Sequence, residues 1–320
     1  MPDLRFTGAV ILAAALAMIF PQWFQSIGSF DLKSLIVPLL QIIMFGMGTT
    51  LGLKDFEQVV RTPRSVAIGL VCQFSIMPFL GYTLATAFEF PPEIAAGVIL
   101  IGCSPSGLAS NVMSYIAKAN VALSVTITAV ATLLAPVLTP QLMKLLAGTL
   151  IEVDAGKMTL DIIRIVIVPI GLGLAVHHLL RKQSTAIQRY MPLLSMAGIV
   201  LIIAIITAAG RESLLLVGGA LVLCVLIHNL FGYALGYGAA RLLRMQERDC
   251  RTIALEVGLQ NGGLASGIAM MLGKVGTVGL APALFGPIMN LTGSLLAGWW
   301  AKQNDRRTSR GVDTESSPKS

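Results

Sequence analysis

A single acidic residue, Glu256, lies in a stretch of the chain that otherwise looks suited to hydrocarbon. It belongs to the segment TIALEVGLQNGG, in which two carboxamides, Gln260 and Asn261, follow the acid among glycines. A charge at the centre of a bilayer costs at least about 2.5–3.5 kcal/mol, so an acid in such a place is functional by default. The alternative is a structural acid that is protonated or paired with an arginine.

A second set of oxygen-bearing side chains occurs earlier in the chain. The run SPSG interrupts an apolar stretch and is followed by Ser110 and Asn111, and Ser124 and Thr128 lie four residues apart on one helical face. Such hydroxyls usually bond to their own helix, and a lone Asn can simply join two helices. Together with Glu256 and carbonyl groups freed at the interruptions, however, they form an all-oxygen ligand set, which hard cations prefer.

Two isolated amides extend this set. Gln73 is flanked by apolar residues, and packing and ligand binding are equally open interpretations of it. Asn290, in the motif MNLTGSLLAGWW, is expected to line a cavity. The four cysteines have neither the spacing of a disulfide framework nor that of a metal knuckle.

The composition shows what surrounds these residues. Of the 320 residues, 55% are hydrophobic and 12% are charged, and the mean hydropathy is +0.80. These values predict an all-α integral membrane protein. Ten apolar runs are near the length that a membrane-crossing helix needs. They cover residues 6–24, 34–53, 65–88, 94–117, 121–143, 165–180, 191–210, 213–240, 252–273 and 276–301.

The basic residues are distributed unevenly between the two sides of these runs. If ten runs alternate across a bilayer, seventeen lysines and arginines fall on one side and five on the other, with Arg164 at the edge of a run. This asymmetry predicts a multi-pass protein of the cell inner (plasma) membrane with both termini in the cytoplasm. The net charge of +7 therefore indicates orientation and not a nucleic-acid partner.

The two halves of the sequence resemble each other at an offset of 151 residues. With five runs each, the halves 1–148 and 157–303 must enter the membrane from opposite sides, so inverted repeats are expected. The matched residues are Gly81, Tyr82 and Leu84 with Gly232, Tyr233 and Leu235, Gly107 and Leu108 with Gly258 and Leu259, Thr126 with Thr277, and Pro136 with Pro287.

The polar segment 304–320, which follows the second half, is predicted to be a disordered cytoplasmic tail.

Each half contains one interrupted run, the fourth and the ninth. SPSG begins eleven residues after Glu93, and Glu256 comes ten residues after Gln246, so both positions lie near the bilayer centre. Unwound backbone is tolerated there only where protein or a polar cavity satisfies its amide and carbonyl groups. The N-terminal ends of the two second half-helices should converge, which favours an anion.

Three motifs resemble the bile acid:sodium symporter family, in particular its bacterial members. They are GCSPSGLASNVMSYIAKANVALSV, EVGLQNGGLASGIA and NLTGSLLAGWW. The resemblance implies a panel domain of spans 1, 2, 6 and 7 and a core domain of spans 3–5 and 8–10, in which helices 4 and 9 cross. It also implies two Na⁺ ions, one held by Ser110, Asn111, Ser124, Thr128 and Glu256, and the other by Gln73, Glu256, Gln260 and the backbone oxygens of Val257 and Leu259.

The resemblance further places Leu108 and Asn261 at the substrate. Asn261 matches an Asn that faces the substrate in the family, whereas Leu108 stands where many relatives have a Thr. The missing hydroxyl leaves the substrate open among bile acids, pantoate-like acids, pyruvate and steroid sulfates, but its anionic class is retained.

The sequence therefore predicts a sodium-coupled symporter, not an enzyme, that imports an organic anion by alternating access. Na⁺, the anion and the lipid bilayer are its partners, and no oligomeric state follows. The nearest alternative is a proton-coupled transporter with Glu256 as the titrating group, although such a carrier has no need of four neutral oxygen ligands. An intramembrane enzyme would need Ser104 or Ser106 with His228, but GCSPSG does not match the G-x-S-x-G elbow. A channel or a sensor is the remaining alternative.

Overall fold

A computed structural model describes residues 4–52, 57–179 and 181–315 of the chain. Of residues 4–7, 57–58, 181–189, 192 and 304–315 it describes the backbone and not the side chain. Lys54 and Lys319, which belong to the predicted charge asymmetry, and the end of the predicted tail, 316–320, lie outside the described residues.

The described chain is almost entirely helical. Short 3₁₀ turns at Pro21–Phe24 and Leu32–Leu35 flank a small antiparallel hairpin of β1 (Ser26–Ile27) and β2 (Phe30–Asp31), and a π-helical turn spans Ile163–Ile167. The α-helices are α1 (Leu4–Ile19), α2 (Ile36–Thr50), α3 (Glu57–Arg61), α4 (Pro63–Ala87), α5 (Pro92–Cys103), α6 (Ala109–Ile116), α7 (Val121–Ala147), α8 (Ala155–Ile162), α9 (Val168–Leu179), α10 (Arg181–Ala209), α11 (Arg211–Leu242), α12 (Glu247–Gly258), α13 (Gly262–Met271) and α14 (Leu280–Glu315).

Six of the described helical segments are long and apolar enough to cross a membrane, which confirms the all-α membrane class. They are Leu32–Thr50, Pro63–Ala87, Val121–Ala147, Ala155–Leu179, Arg211–Leu242 and Leu280–Gln303. Shorter apolar helices are Gly8–Ile19, Pro92–Cys103, Leu193–Ala209 and Gly262–Met271. The fourth and ninth predicted runs are each divided into two short helices, so the count of ten spans stays a prediction.

The helices pack in two sets. One set consists of α1, α2, α9 and α10, and the other consists of α4, α5, α6, α7, α11, α12, α13 and α14. Contacts between the sets include α13 against α2 and α10 against α14. Gly48 lets α2 approach α9 closely, because a Cβ there would meet the backbone of Ile170. The panel and core domains stay a prediction, to which this packing lends support.

Local sequence signals explain where several helices begin. Pro63 and Pro92 occupy the first positions of α4 and α5, where the missing N–H has no partner to lose. Asn120 and Asn261 are the N-cap residues of α7 and α13, and their side-chain oxygens accept from the backbone N–H three residues later.

The four cysteines are free and buried: Cys72, Cys103, Cys224 and Cys250.

Gly258 provides a test of helix packing at the end of α12. A Cβ at this position would overlap the ring of Tyr233 on α11. Gly258→Ala is therefore expected to destabilise the protein by about 1–3 kcal/mol, which is the usual result of overpacking. The measurement is the melting temperature of the detergent-solubilised protein. Gly219→Ala is the control, because nothing lies within 4 Å of its Cβ position. Equal melting temperatures for the two variants would contradict the packing described.

Candidate functional site

The break between α5 and α6 lies directly against the break between α12 and α13. Ser106 and Gln260 form an isolated antiparallel β-bridge at this contact. The two unwound segments thus satisfy part of each other's backbone, as unwound backbone in a membrane interior requires. Flanking hydrogen bonds run from Gly107 N to Leu259 O and from Asn261 N to Pro105 O, each over 2.8 Å.

Carboxamides on neighbouring helices bind the carbonyl groups freed at the two breaks. Gln73 Nε2 on α4 donates to Ser104 O over 2.9 Å, and Asn229 Nδ2 on α11 donates to Gly258 O over 2.8 Å. In each case the donor lies on the helix that precedes the broken one. The two breaks are therefore stabilised in the same way.

Glu256 is fully buried and accepts hydrogen bonds from three hydroxyl groups. Ser106 Oγ donates to Oε2 over 2.6 Å, Ser124 Oγ to Oε1 over 2.5 Å, and Thr128 Oγ1 to Oε2 over 2.9 Å. None of the ion pairs found in the described part of the chain involves this carboxylate. The acid is thus surrounded by neutral oxygens and not paired with an arginine.

Ser110 and Asn111, at the start of α6, complete this group. Ser110 Oγ lies 3.2 Å from Thr128 Oγ1, and Asn111 Oδ1 lies 2.9 Å from Ser124 Oγ and 3.3 Å from Thr128 Oγ1. The five residues predicted for the first ion therefore come together. Ser106, which the sequence suggested only as an enzyme nucleophile and not as an ion ligand, joins them. The carboxylate cluster consists of Ser106, Ser110, Asn111, Ser124, Thr128 and Glu256.

Gln73 and Gln260 form a second buried group, the glutamine pair. Gln73 Nε2 donates to Gln260 Oε1 over 2.8 Å, and Gln260 Nε2 donates to Val257 O over 2.5 Å. Of the residues predicted for the second ion, the structure thus brings together Gln73, Gln260 and the carbonyl of Val257, with Leu259 O bonded to Gly107 N beside them. The hydrogen bonds found among the described residues do not connect this pair to Glu256 itself.

A cavity of about 560 Å³ is lined in part by both breaks. Leu108, Asn261 and Asn290 all line it, and none of the described residues in its wall is charged. Leu108 is 38% exposed, so its side chain is accessible from the cavity. Asn261 Oδ1 accepts from Leu264 N over 3.0 Å, and Asn290 Nδ2 donates to Gly286 O over 2.8 Å. The three residues predicted for the substrate therefore share one cavity.

A second cavity, of about 570 Å³, is lined by Glu93 and Lys274 and by none of the predicted site residues. Glu93 there accepts hydrogen bonds from Lys274 and Thr277. This ion pair joins the start of α5 to the turn before α14. The cavity at the breaks is consequently the candidate site.

Arg251 is a buried charge that directly precedes the ninth apolar run, 252–273. It lies inside α12 and is only 1% exposed. Its Nε donates to Glu247 Oε1 over 2.9 Å, its Nη1 lies 3.4 Å from Ala117 O at the end of α6, and its guanidinium lies 5.7 Å from the centroid of the Trp300 ring. The spacing of Glu247 and Arg251, four residues apart, was the only local signal of this pairing. The contacts hold α12, which carries Glu256, against α6.

Three of the polar atoms that an intramembrane enzyme would use are engaged elsewhere, whereas His228 Nδ1 is buried without a hydrogen-bond partner among the described residues. His228 Nε2 is bonded to Met77 O over 3.0 Å, and Ser104 Oγ donates to Leu100 O over 2.9 Å. Ser106 is bonded to the carboxylate cluster. In the part of the chain that the structure describes, no group of three His, Cys, Asp or Glu side chains could hold a metal ion. Any ion at the breaks would be bound by hydroxyl, amide and carboxylate oxygens.

The sodium bile acid symporter family model matches residues 37–216. This chain belongs to that family. The symporter family relatives include the "Uncharacterized sodium-dependent transporter YocS" of Bacillus subtilis (strain 168), which is 43% identical over 92% of this chain and 90% of its own length. The ileal sodium/bile acid cotransporter of Homo sapiens is 32% identical over 84% of this chain and 78% of its own length.

The match to a plant relative spans a smaller share of that relative's length. The "Probable sodium/metabolite cotransporter BASS2, chloroplastic" of Oryza sativa subsp. japonica is 35% identical over 82% of this chain, which spans 62% of that protein. All three relatives are named as transporters or cotransporters. The family membership confirms the resemblance, and two of the motifs that carried it are the segments that form the paired breaks.

Asn229 allows a test of how the freed carbonyl groups are satisfied. Asn229→Leu leaves Gly258 O buried without its donor, which is expected to destabilise the protein by about 1–3 kcal/mol. Asn290→Leu is the matched control, because Asn290 donates only to a carbonyl of its own helix. Thermal denaturation in detergent should separate the two variants. A melting temperature for Asn229→Leu at the control value would show that Gly258 O does not depend on this donor.

Proposed function

We propose that this member of the symporter family imports an organic anion together with Na⁺. The observation that carries the proposal is the fully buried carboxylate of Glu256, held among neutral oxygens and without a basic partner in the described chain. A lone carboxylate in an apolar interior is unfavourable unless a counter-charge reaches it. Oxygen ligands suit hard cations, and Na⁺ is the ion that the names of the relatives give.

Two Na⁺ ions are proposed. The first is bound by Ser110, Asn111, Ser124, Thr128 and Glu256, all of which belong to the carboxylate cluster. The second is bound by the glutamine pair, Glu256 and the backbone oxygens of Val257 and Leu259. Both carbonyl groups already accept one hydrogen bond, but each has a second lone pair for an ion. Glu256 would serve both ions and so link the two sites.

Proton coupling through Glu256 is the competing mechanism. A proton needs one acidic oxygen, whereas the cluster supplies an amide oxygen and hydroxyl groups from three segments of the chain: the break, α6 and α7. That arrangement resembles a coordination shell more than a proton relay. It therefore favours Na⁺.

The substrate is proposed to be an amphipathic organic anion. The N-terminal ends of α6 and α13 both border the cavity, and their helix dipoles favour negative charge. Asn261 Nδ2 remains to donate to the anion, since its Oδ1 caps α13. The rest of the wall is mainly apolar, with Leu108 in place of a hydroxyl group. A bile acid or another anion with an apolar body fits this wall better than pyruvate does, with pantoate-like acids between them.

Alternating access of two inverted repeats, 1–148 and 157–303, is proposed as the mechanism. Support comes from the antiparallel pairing of the breaks and from the equivalent roles of Gln73 and Asn229. Two Na⁺ ions, Glu256 and a monoanion sum to zero charge, so the loaded site can cross a low-dielectric region. The core would move against the panel in the inner membrane, with both termini cytoplasmic.

Uptake into proteoliposomes tests this function. Labelled cholate is expected to accumulate under an inward Na⁺ gradient, and an inside-negative potential should increase uptake because net positive charge moves inward. Recovery of unchanged cholate separates transport from an enzymatic reaction. Uptake that follows a pH gradient equally well in Na⁺ and in K⁺ would overturn sodium coupling.

Substitution of the carboxylate tests the ion site without a substrate. Glu256→Gln is expected to abolish the rise in melting temperature that NaCl produces relative to KCl, because the counter-charge of Na⁺ is lost. Glu152→Gln removes an exposed acid and should keep the full response. A normal Na⁺ response in Glu256→Gln would exclude Glu256 as an ion ligand.

A further inference from the structure

Ser106 contacts the carboxylate from a different part of the chain than the other hydroxyl donors do. Ser124 and Thr128 reach Glu256 from α7, whereas Ser106 lies in the unwound segment between α5 and α6. Its side chain is completely buried, and its Oγ donates to Glu256 Oε2 over 2.6 Å. Its hydroxyl is therefore part of the break itself.

The backbone around Ser106 connects this hydroxyl to the cavity. Ser106 is bridged to Gln260, and the carbonyl of the preceding Pro105 accepts from Asn261 N over 2.8 Å. Two residues after Ser106, Leu108 lines the cavity, as Asn261 does on the opposite break. The segment from Ser106 to Leu108 thus contacts the carboxylate through the Ser106 side chain and lines the cavity through Leu108.

We propose that Ser106 is a further residue of the cation site and transmits the presence of Na⁺ at Glu256 to the anion cavity. This inference rests on the proposed function, in which Na⁺ binds the carboxylate cluster. A serine hydroxyl has one hydrogen and two lone pairs, so Ser106 can keep its hydrogen bond to Oε2 while offering a lone pair to the ion. Binding of the ion then fixes Ser106, and the paired breaks are ordered with it. The cavity walls at Leu108 and Asn261 become ordered together with the breaks.

Ser104 provides a matched control two residues away. It is buried to the same extent, but its Oγ donates to Leu100 O of its own helix and not to the carboxylate. Ser104→Ala and Ser106→Ala therefore each remove one buried hydroxyl from the same region. Only the second removes a contact with Glu256.

The first experiment measures the NaCl concentration that gives half of the maximal thermal stabilisation, with KCl keeping the ionic strength constant and no anion present. Ser106→Ala is expected to raise this concentration by about tenfold, because the ion loses one oxygen ligand and the carboxylate loses the donor that holds it in place. Ser104→Ala should leave it close to the wild-type value. Ser106→Thr, which retains the hydroxyl group, should restore most of the affinity.

The second experiment measures how accessible the cavity wall is to a thiol reagent. Leu108→Cys introduces an accessible thiol, and the native cysteines are buried, so a water-soluble maleimide should label position 108 selectively. Na⁺ is expected to slow this labelling several-fold relative to K⁺. The effect should persist with Ser104→Ala and require a higher Na⁺ concentration with Ser106→Ala.

The outcomes separate this inference from the function on which it rests. If Na⁺ stabilises the wild type but not Glu256→Gln, and Ser106→Ala responds like Ser104→Ala, the role of Ser106 is refuted while the ion site stands. If Na⁺ stabilises the protein without changing the labelling of Leu108→Cys, the transmission to the cavity is refuted, whether or not Ser106→Ala folds. If the wild type shows no Na⁺ response, the proposed function fails together with the inference.

Discussion

The carboxylate of Glu256 imposes the main constraint on this structure. A negative charge placed among hydrocarbon side chains loses its hydration, and hydrogen bonds from neutral groups replace only part of it. Ser106, Ser124 and Thr128 supply such bonds here, and no basic side chain among the described residues neutralises the charge. An arrangement of this kind is stable to the extent that a mobile cation can reach it. The fold must therefore keep the cluster close to an aqueous route without exposing it to lipid.

Arg251 shows what a structural charge looks like in the same helix. It is almost as deeply buried as Glu256, yet it has an acidic partner, a carbonyl contact and an aromatic ring beside it. All the partners of Arg251 are therefore residues of the protein itself, and these contacts fix α12 against α6. Glu256, five residues later, lacks a partner of opposite charge. The difference between a paired and an unpaired buried charge distinguishes the scaffold from the site.

The paired breaks would allow one site to serve both an ion and an anion, as the proposed function requires. Unwinding two helices frees backbone groups, which are satisfied by the other break and by the carboxamides of Gln73 and Asn229. The same short segments then present hydroxyl and carbonyl oxygens on one side and helix N-terminal ends on the other. A cation and an anion bound to opposite sides of these segments would each stabilise the arrangement that the other needs, which is the physical basis of coupling.

The membrane class, the positions of the two breaks and most of the polar residues beside them could be predicted from the amino-acid sequence alone. These are local signals, because a long apolar run, an SPSG interruption or a lone carboxylate is recognisable without its neighbours. The number of spans and the inverted repeats remain predictions. The contact of Gln73 with Gln260, 187 residues away, and the hydrogen bond from Ser106 to Glu256 across 150 residues became evident only from the packing of the helices. The burial of Arg251 likewise depends on that packing. Such contacts depend on how distant helices pack, and the residue types and spacing within one segment carry no information about a partner in the other half of the chain.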